Sequence, residues 1–225
     1  MKLRVLEIER SILRKNDTLA AELRARFAAS GTFVVNLLSS PGSGKTTLLE
    51  ETLRRLRPRL RAGALVGDQA TEHDASRLAR SGVPVRQITT AAECRLDAAM
   101  IADALTGWET GALDALFVEN VGNLICPAEY DLGEDLRVVL FSVTEGEDKP
   151  LKYPLAFNTA QVALITKIDL AGAVGFDRDA AYASLHQVNP SLTILEISTR
   201  EGTGFDAWIA LVEARIRAKS LAPAT

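Results

Sequence analysis

Lys45, Thr46 and Thr47 stand directly behind Ser39-Ser40-Pro41-Gly42-Ser43-Gly44, and the apolar run Phe33–Leu38 leads into them. A lysine and a hydroxyl at a glycine-bearing turn between a strand and a helix suit phosphate. Backbone N–H groups and the helix N-terminus converge on the anion, Lys45 reaches the β- and γ-phosphates, and the Thr46 hydroxyl can ligate Mg²⁺. Pro41, Gly42, Ser43, Gly44, Lys45, Thr46 and Thr47 are therefore candidate residues for binding a nucleoside triphosphate. Ser39 stands where the strict spacing has a first glycine, but Gly42 and Gly44 still free the tightest part of the turn.

Further chemistry follows other apolar runs. Asp68 closes Ala62–Val66 by two residues, and Glu119 directly follows Ala115–Val118 with Gly122 three positions on. Acids so placed can hold Mg²⁺ through water or orient an attacking water, and Gly122 can sense the γ-phosphate. The plainer roles are a helix cap for Asp68 and a solvated strand end for Glu119. With Lys45 they form the candidate catalytic set for hydrolysis. No glutamine or arginine finger can be assigned from the sequence, so slow turnover is expected.

Base choice is read from Thr166-Lys167-Ile168-Asp169. A carboxylate at the end of a strand accepts from both N1–H and the 2-amino group of guanine, donors that adenine does not offer there. Asp169 thus selects GTP, and the Lys167 stem lies along the base. Thr166 is shorter than the asparagine usual in this element, so a weaker tether to the phosphate loop is expected. Ser198 and Thr199, after the last apolar run, can set backbone N–H groups near the guanine oxygen, though such a turn is also an ordinary strand-to-helix connection.

The elements that must position these residues alternate. Strand patterns lie at Phe33–Leu38, Ala62–Val66, Val83–Ile88, Ala115–Val118, Val138–Val143, Val162–Thr166 and Thr193–Ile197. Helical patterns lie at Thr46–Leu60, Asp74–Ser81, Ala91–Leu105, Asp177–Val188 and Phe205–Lys219. Continuous apolar strands between amphipathic helices imply an α/β fold: a mostly parallel sheet covered on both faces, with ligands beyond the strands' carboxyl ends. Residues 3–29 carry Leu6, Ile8, Ile12, Leu13, Leu19, Leu23 and Phe27 at helical spacing, an amphipathic N-terminal segment packing outside the sheet. One domain is expected: a helical extension over 1–30 and a core over 31–219. The net charge of −3 from interspersed charges offers no footprint for nucleic acid. No apolar run has the length to span a membrane, and the first residues lack a signal-peptide core, which points to the cytoplasm.

From about residue 33 to 218 the chain resembles the hydrogenase nickel-incorporation GTPases, the HypB family. The resemblance rests on Ser39–Thr47, on Gly67–Ala75, on Glu119-Asn120-Val121-Gly122-Asn123-Leu124-Ile125-Cys126-Pro127-Ala128-Glu129, and on Glu145–Pro154, which is similar to that family's loop near its dimer interface. It implies a P-loop fold of the SIMIBI type, GTP/GDP and Mg²⁺ as ligands, a homodimer promoted by GTP, and loading of nickel into [NiFe]-hydrogenase. The partners it implies are the nickel metallochaperone HypA and the hydrogenase large subunit. A urease-type nickel GTPase is the nearest alternative, matched less well over Asn120–Glu129. A partitioning ATPase is more remote, because Ser40 stands where those proteins carry a signature lysine.

Where the family commonly has Cys-His, this chain reads Cys94-Arg95, and Cys94 and Cys126 are its two cysteines. Two sulfurs cannot close a four-coordinate site, but a two-fold dimer with both near its axis brings four together, suiting Zn²⁺ or planar Ni²⁺. The competing readings are that both are small buried hydrophobes, or that Arg95 ends metal binding and leaves a nucleotide-switched scaffold. A guanidinium also favours a neighbouring thiolate.

Overall fold

The computed structural model describes residues 2–68, 73–90, 93–108 and 112–221. Seven strands, β1 (Phe33–Ser39), β2 (Ala62–Asp68), β3 (Val85–Thr89), β4 (Ala115–Gly122), β5 (Leu136–Ser142), β6 (Val162–Thr166) and β7 (Thr193–Ile197), form one sheet in the order β3-β2-β4-β1-β5-β6-β7. Every pairing between them is parallel. β1, β5 and β6 are buried along their whole length, as a sheet covered on both faces requires. β1 lies centrally between β4 and β5, so the loop after it opens at the point where the strand order reverses.

One face is covered by α2 (Lys45–Leu56), α3 (His73–Ala79) and α9 (Phe205–Leu221). Phe33, Val35 and Leu37 of β1 pack there with Leu49, Leu53, Trp208 and Val212. Trp208 is fully buried and its indole N–H donates to Thr52 Oγ1 at 2.9 Å, which removes the cost of burying a polar nitrogen. The other face divides in two. Over β2 and β4 lie α1 (Lys2–Ser30) and α4 (Ala98–Ala104), with Phe27, Leu23 and Ile101 against Val34, Leu65 and Val118. Over β5 and β6 lie α5 (Lys149–Lys152), α6 (Pro154–Asn158), α7 (Ala171–Val174) and α8 (Arg178–Val188), with Phe157 and Leu185 against Phe141 and Ile165.

A polar seam runs between those two halves. Asn36 of β1 is fully buried; its amide donates to Glu134 Oε1 at 3.2 Å and accepts from Asn120 Nδ2 at 3.4 Å. Arg137 pairs with Glu134 at 2.6 Å and donates to the Ala128 and Tyr130 carbonyls at 3.0 and 2.8 Å. Each charge in the seam thus has a partner, the condition under which ionic groups survive burial.

All seven expected strands are present, and the N-terminal segment is one helix. Asn16, Ala20, Leu23 and Phe27 form its inward stripe, while Ile12 is about half exposed. The expected helix over Ala91–Leu105 is shorter: residues 93–97 form a loop, and the helix starts only where Asp97 Oδ1 accepts from Met100 N at 2.9 Å. Thr90 Oγ1 donates to the Glu93 carbonyl at 2.9 Å and holds the chain in a turn there. Ala91 and Ala92, like Gln69–Glu72 of the Gly67–Ala75 block, lie outside the described residues. Among the described residues no helix is long and apolar enough to cross a membrane.

Candidate functional site

Gly44 enters α2 at φ +95, a conformation that costs a glycine little, and turns Lys45 inward. Lys45 is buried and donates from Nζ to Ser39 Oγ at 2.9 Å. Thr46 Oγ1 donates to Glu119 Oε1 at 2.7 Å, joining the phosphate loop to the end of β4. Glu119 is 3% exposed, and its Oε2 has no hydrogen-bond partner among the described residues. Burial pushes this carboxyl up to about 7 against the pull of Lys45, and burial likewise lowers the Lys45 ammonium.

These groups face a cavity of about 610 Å³. Asp68 lines it from the end of β2, Gly42 and Thr47 from the loop, Gly122 from β4 and Lys167 from the far side. At Gly122 a Cβ would sit 3.1 Å from the Pro41 ring, so a glycine lets the β4 segment lie against the phosphate loop. The donor set fits Mg²⁺: a hydroxyl, a half-buried carboxylate on β2, and a buried carboxylate oxygen lacking a partner.

A second cavity of about 220 Å³ adjoins, lined by Thr166, Lys167, Asp169, Thr199 and the Ser43–Gly44 backbone. Lys167 has φ 58, the one positive value at a residue other than glycine among the described residues. That strained turn puts Lys167 on the border of both cavities. Ser198 does not line the cavity: it is buried, accepts from Glu201 N at 3.1 Å, and builds the turn that presents Thr199. Thr166 corrects the expected weak tether. Its Oγ1 donates to the Ser43 carbonyl at 2.7 Å, because the loop lies close enough for a hydroxyl to replace a longer amide.

The structure also brings in residues that the sequence reading had passed over. Asp74 and Arg77 of α3 line the larger cavity, and Arg77 donates to Glu50 Oε2 at 2.7 Å and Thr47 Oγ1 at 3.0 Å. Their spacing of three on a helix just after the Asp68 segment was the available signal. Glu145 accepts from Ser43 Oγ at 2.8 Å and Ser142 N at 2.7 Å, and pairs with Lys149 at 2.9 Å. Burial alone would raise its carboxyl; these donors hold it below its ordinary value. The 145–154 loop is thereby wired to the phosphate loop.

Cys94 and Cys126, both half-buried, lie near enough within one chain for each thiol to affect the other. That proximity, then burial, pushes the Cys126 thiol up, while Asn123 and Arg95 act against it. Arg95 does not point its charge freely at the sulfurs. Its guanidinium stacks 4.1 Å over the Tyr130 ring, pairs with Glu93 at 2.8 Å, and leaves Nε buried without a partner. Among the described residues no group of three or more His, Cys, Asp or Glu converges on a metal-sized site.

A central parallel sheet, a lysine-bearing loop after its middle strand and two adjoining cavities define a P-loop nucleotide-binding domain. The chain belongs to the CobW/HypB/UreG family, on its HypB branch: the nucleotide-binding domain model of that family matches residues 33–196. It is 49% identical over 220 residues to the hydrogenase maturation factor HypB of Azotobacter vinelandii, covering 96% of this chain and 73% of that one. The Escherichia coli K12 HypB is 49% identical over 210 residues, 93% of this chain and 72% of that protein. Among solved structures, HypB from Helicobacter pylori in complex with nickel superposes with a TM-score of 0.86 at 37% identity, covering 93% of this chain and 98% of that one. HypB from Archaeoglobus fulgidus gives 0.84 at 40%, with 90% and 99% covered.

Proposed function

We propose that this protein is a GTP-hydrolysing switch that delivers nickel during [NiFe]-hydrogenase maturation, acting as a dimer promoted by GTP. The observation that carries the reading is that Glu119, paired with Thr46 in the phosphate cavity, and Cys126 of the thiol pair lie on one short stretch of chain at the end of β4. The names of its HypB relatives and the nickel-bound structure of one support it.

Asp169 accepts the guanine N1–H and 2-amino donors while Lys167 lies along the base. Lys45 and the Gly42–Gly44 amides neutralise charge developing on the phosphoryl oxygens as water attacks the γ-phosphate. Mg²⁺ would be held by Thr46 and, through water, by Asp68 and Glu119, and when bound supplies further neutralisation at those oxygens. Turnover is expected to be slow, since no glutamine or arginine finger is assigned from the sequence, and a slow GTPase behaves as a switch. Nickel, or zinc in its place, is the cargo: two protomers supply four sulfurs from Cys94 and Cys126. HypA and the hydrogenase large subunit are the proposed donor and recipient, in the cytoplasm.

Arg95 favours a second reading, a metal-independent scaffold switched by nucleotide, because it occupies the place of a family donor. Native mass spectrometry with Mg²⁺ and either GDP or a non-hydrolysable GTP analogue, titrated with Ni²⁺ and Zn²⁺, separates the two. A dimer that forms with the analogue and takes up metal according to nucleotide supports delivery. A dimer without metal supports the scaffold, and no nucleotide-dependent change of assembly refutes the switch.

A further inference from the structure

The loop that carries Cys94 is gripped from both acidic strand ends. Leu96 packs so tightly under the end of β2 that a Cβ on Gly67, beside Asp68, would lie 2.8 Å from its side chain. From β4, Asn120 Oδ1 accepts from Leu96 N at 3.1 Å. Three residues on, Asn123 Nδ2 donates to the Cys94 carbonyl at 3.3 Å, while Asn123 Oδ1 accepts from Ile125 N at 2.9 Å, next to Cys126. One side chain therefore touches both cysteine-bearing segments.

Its backbone is tied to the nucleotide side. Asn123 forms an antiparallel bridge with Ser39, whose hydroxyl receives the Lys45 ammonium. Gly122 before it lies against Pro41, and Glu119 four residues earlier holds Thr46. Asn123 itself lines neither the phosphate cavity nor the base cavity. A shift of the Glu119–Gly122 segment, when a γ-phosphate and Mg²⁺ draw on Thr46 and Glu119, must carry the Asn123 amide with it.

We propose that Asn123 is the positioning residue through which the nucleotide state sets the separation of the Cys94 and Cys126 thiols. The inference rests on the nucleotide-switch reading above, and it concerns the geometry of the thiols rather than the metal they take. It identifies one residue outside the nucleotide cavities that couples the two ends of the molecule.

The test uses the full chain with Mg²⁺ and either GDP or a non-hydrolysable GTP analogue. Dibromobimane, which fluoresces once it joins two thiols, reports their separation, and the mass of the denatured product shows whether the bridge lies within one chain. In the wild type the bridging rate is expected to differ by about twofold or more between the nucleotides, the lower end of the coupling that intermediate residues carry. Asn123→Ala is expected to abolish that difference with nucleotide affinity retained, and Asn123→Gln, which keeps an amide, to restore part of it. Should Asn123→Ala lose its fold, Asn123→Asp decides, since it keeps the acceptor for Ile125 N and removes the donor to Cys94. A wild-type difference that survives in Asn123→Ala or Asn123→Asp, or a wild type with no difference, overturns the proposal. Nickel titration of the same samples separates the two claims: bridging that depends on Asn123 without nickel uptake leaves the linkage standing and removes the cargo.

Discussion

Glu119 makes the stability of the nucleotide-free protein depend on pH, and the sign is opposite to that of an ordinary carboxylate. Burial raises its folded-state value from 4.5 to about 7. Native protein therefore keeps a proton that the unfolded chain releases between those values, and unfolding in that window loses it. Stability contributed by the protonated carboxyl is complete below the unfolded value and is lost as pH rises through about 7. At about 1.4 kcal/mol per unit the loss is about 3 kcal/mol between pH 4.5 and pH 8. For a chain of this size that corresponds to a melting shift of about 6 to 12 °C. Glu119→Gln keeps the acceptor for Thr46 and has no charge to bury, so it should melt like the wild type at pH 5 and higher by about that margin at pH 8. The assay is thermal denaturation of nucleotide-free wild type and variant at several pH values, repeated with Mg²⁺ and a GTP analogue, which should flatten the wild-type slope by giving the carboxylate its counter-charge. A wild type and a variant with parallel pH profiles in the absence of nucleotide would show that the Glu119 charge is solvated or fully compensated by Lys45, and the reasoning would fail.

Other substitutions test the remaining parts of the site. Asp169→Asn turns an acceptor pair into a donor and an acceptor; GTP affinity should fall by about 100-fold and xanthine nucleotides should gain, read by titration with fluorescent nucleotides. Thr166→Ala removes the hydrogen bond to the Ser43 carbonyl and should cost about 1 kcal/mol in urea unfolding, with a several-fold weaker hold on GTP. Arg95→His replaces a cation by a nitrogen donor beside Cys94, so nickel should bind more tightly in a competition titration while GTP affinity stays as it was.

The strands were legible because β1, β4, β5 and β6 are buried on both faces and so read as unbroken apolar runs. Their ends were less so: β4 continues to Gly122 through Glu119 and Asn120, polar residues that a search for apolar runs stops at. The helices α5, α6 and α7 went unread since each is four or five residues long and two carry proline at one of their first two positions. The phosphate loop and Asp169 were legible from local spacing alone. The Asn36–Glu134–Arg137 seam was not, because its members meet across 98 residues of chain and no local pattern marks a polar residue inside a strand as paired. Arg95 likewise shows its identity in the sequence, but only the fold shows it stacked on Tyr130 and paired with Glu93.

The central position of β1 separates two recognition tasks. On its β5–β6–β7 side lie Asp169, Lys167 and Thr199, which line the smaller cavity proposed for the base; on its β4–β2–β3 side lie Asp68, Glu119 and the two cysteine-bearing loops. The phosphate loop and Lys167 border both cavities. Under the proposed function, a change in the cysteine-bearing loops, such as Arg95, is therefore insulated from the choice of base. One flank of the sheet can then be altered while the pocket on the other keeps its ligand.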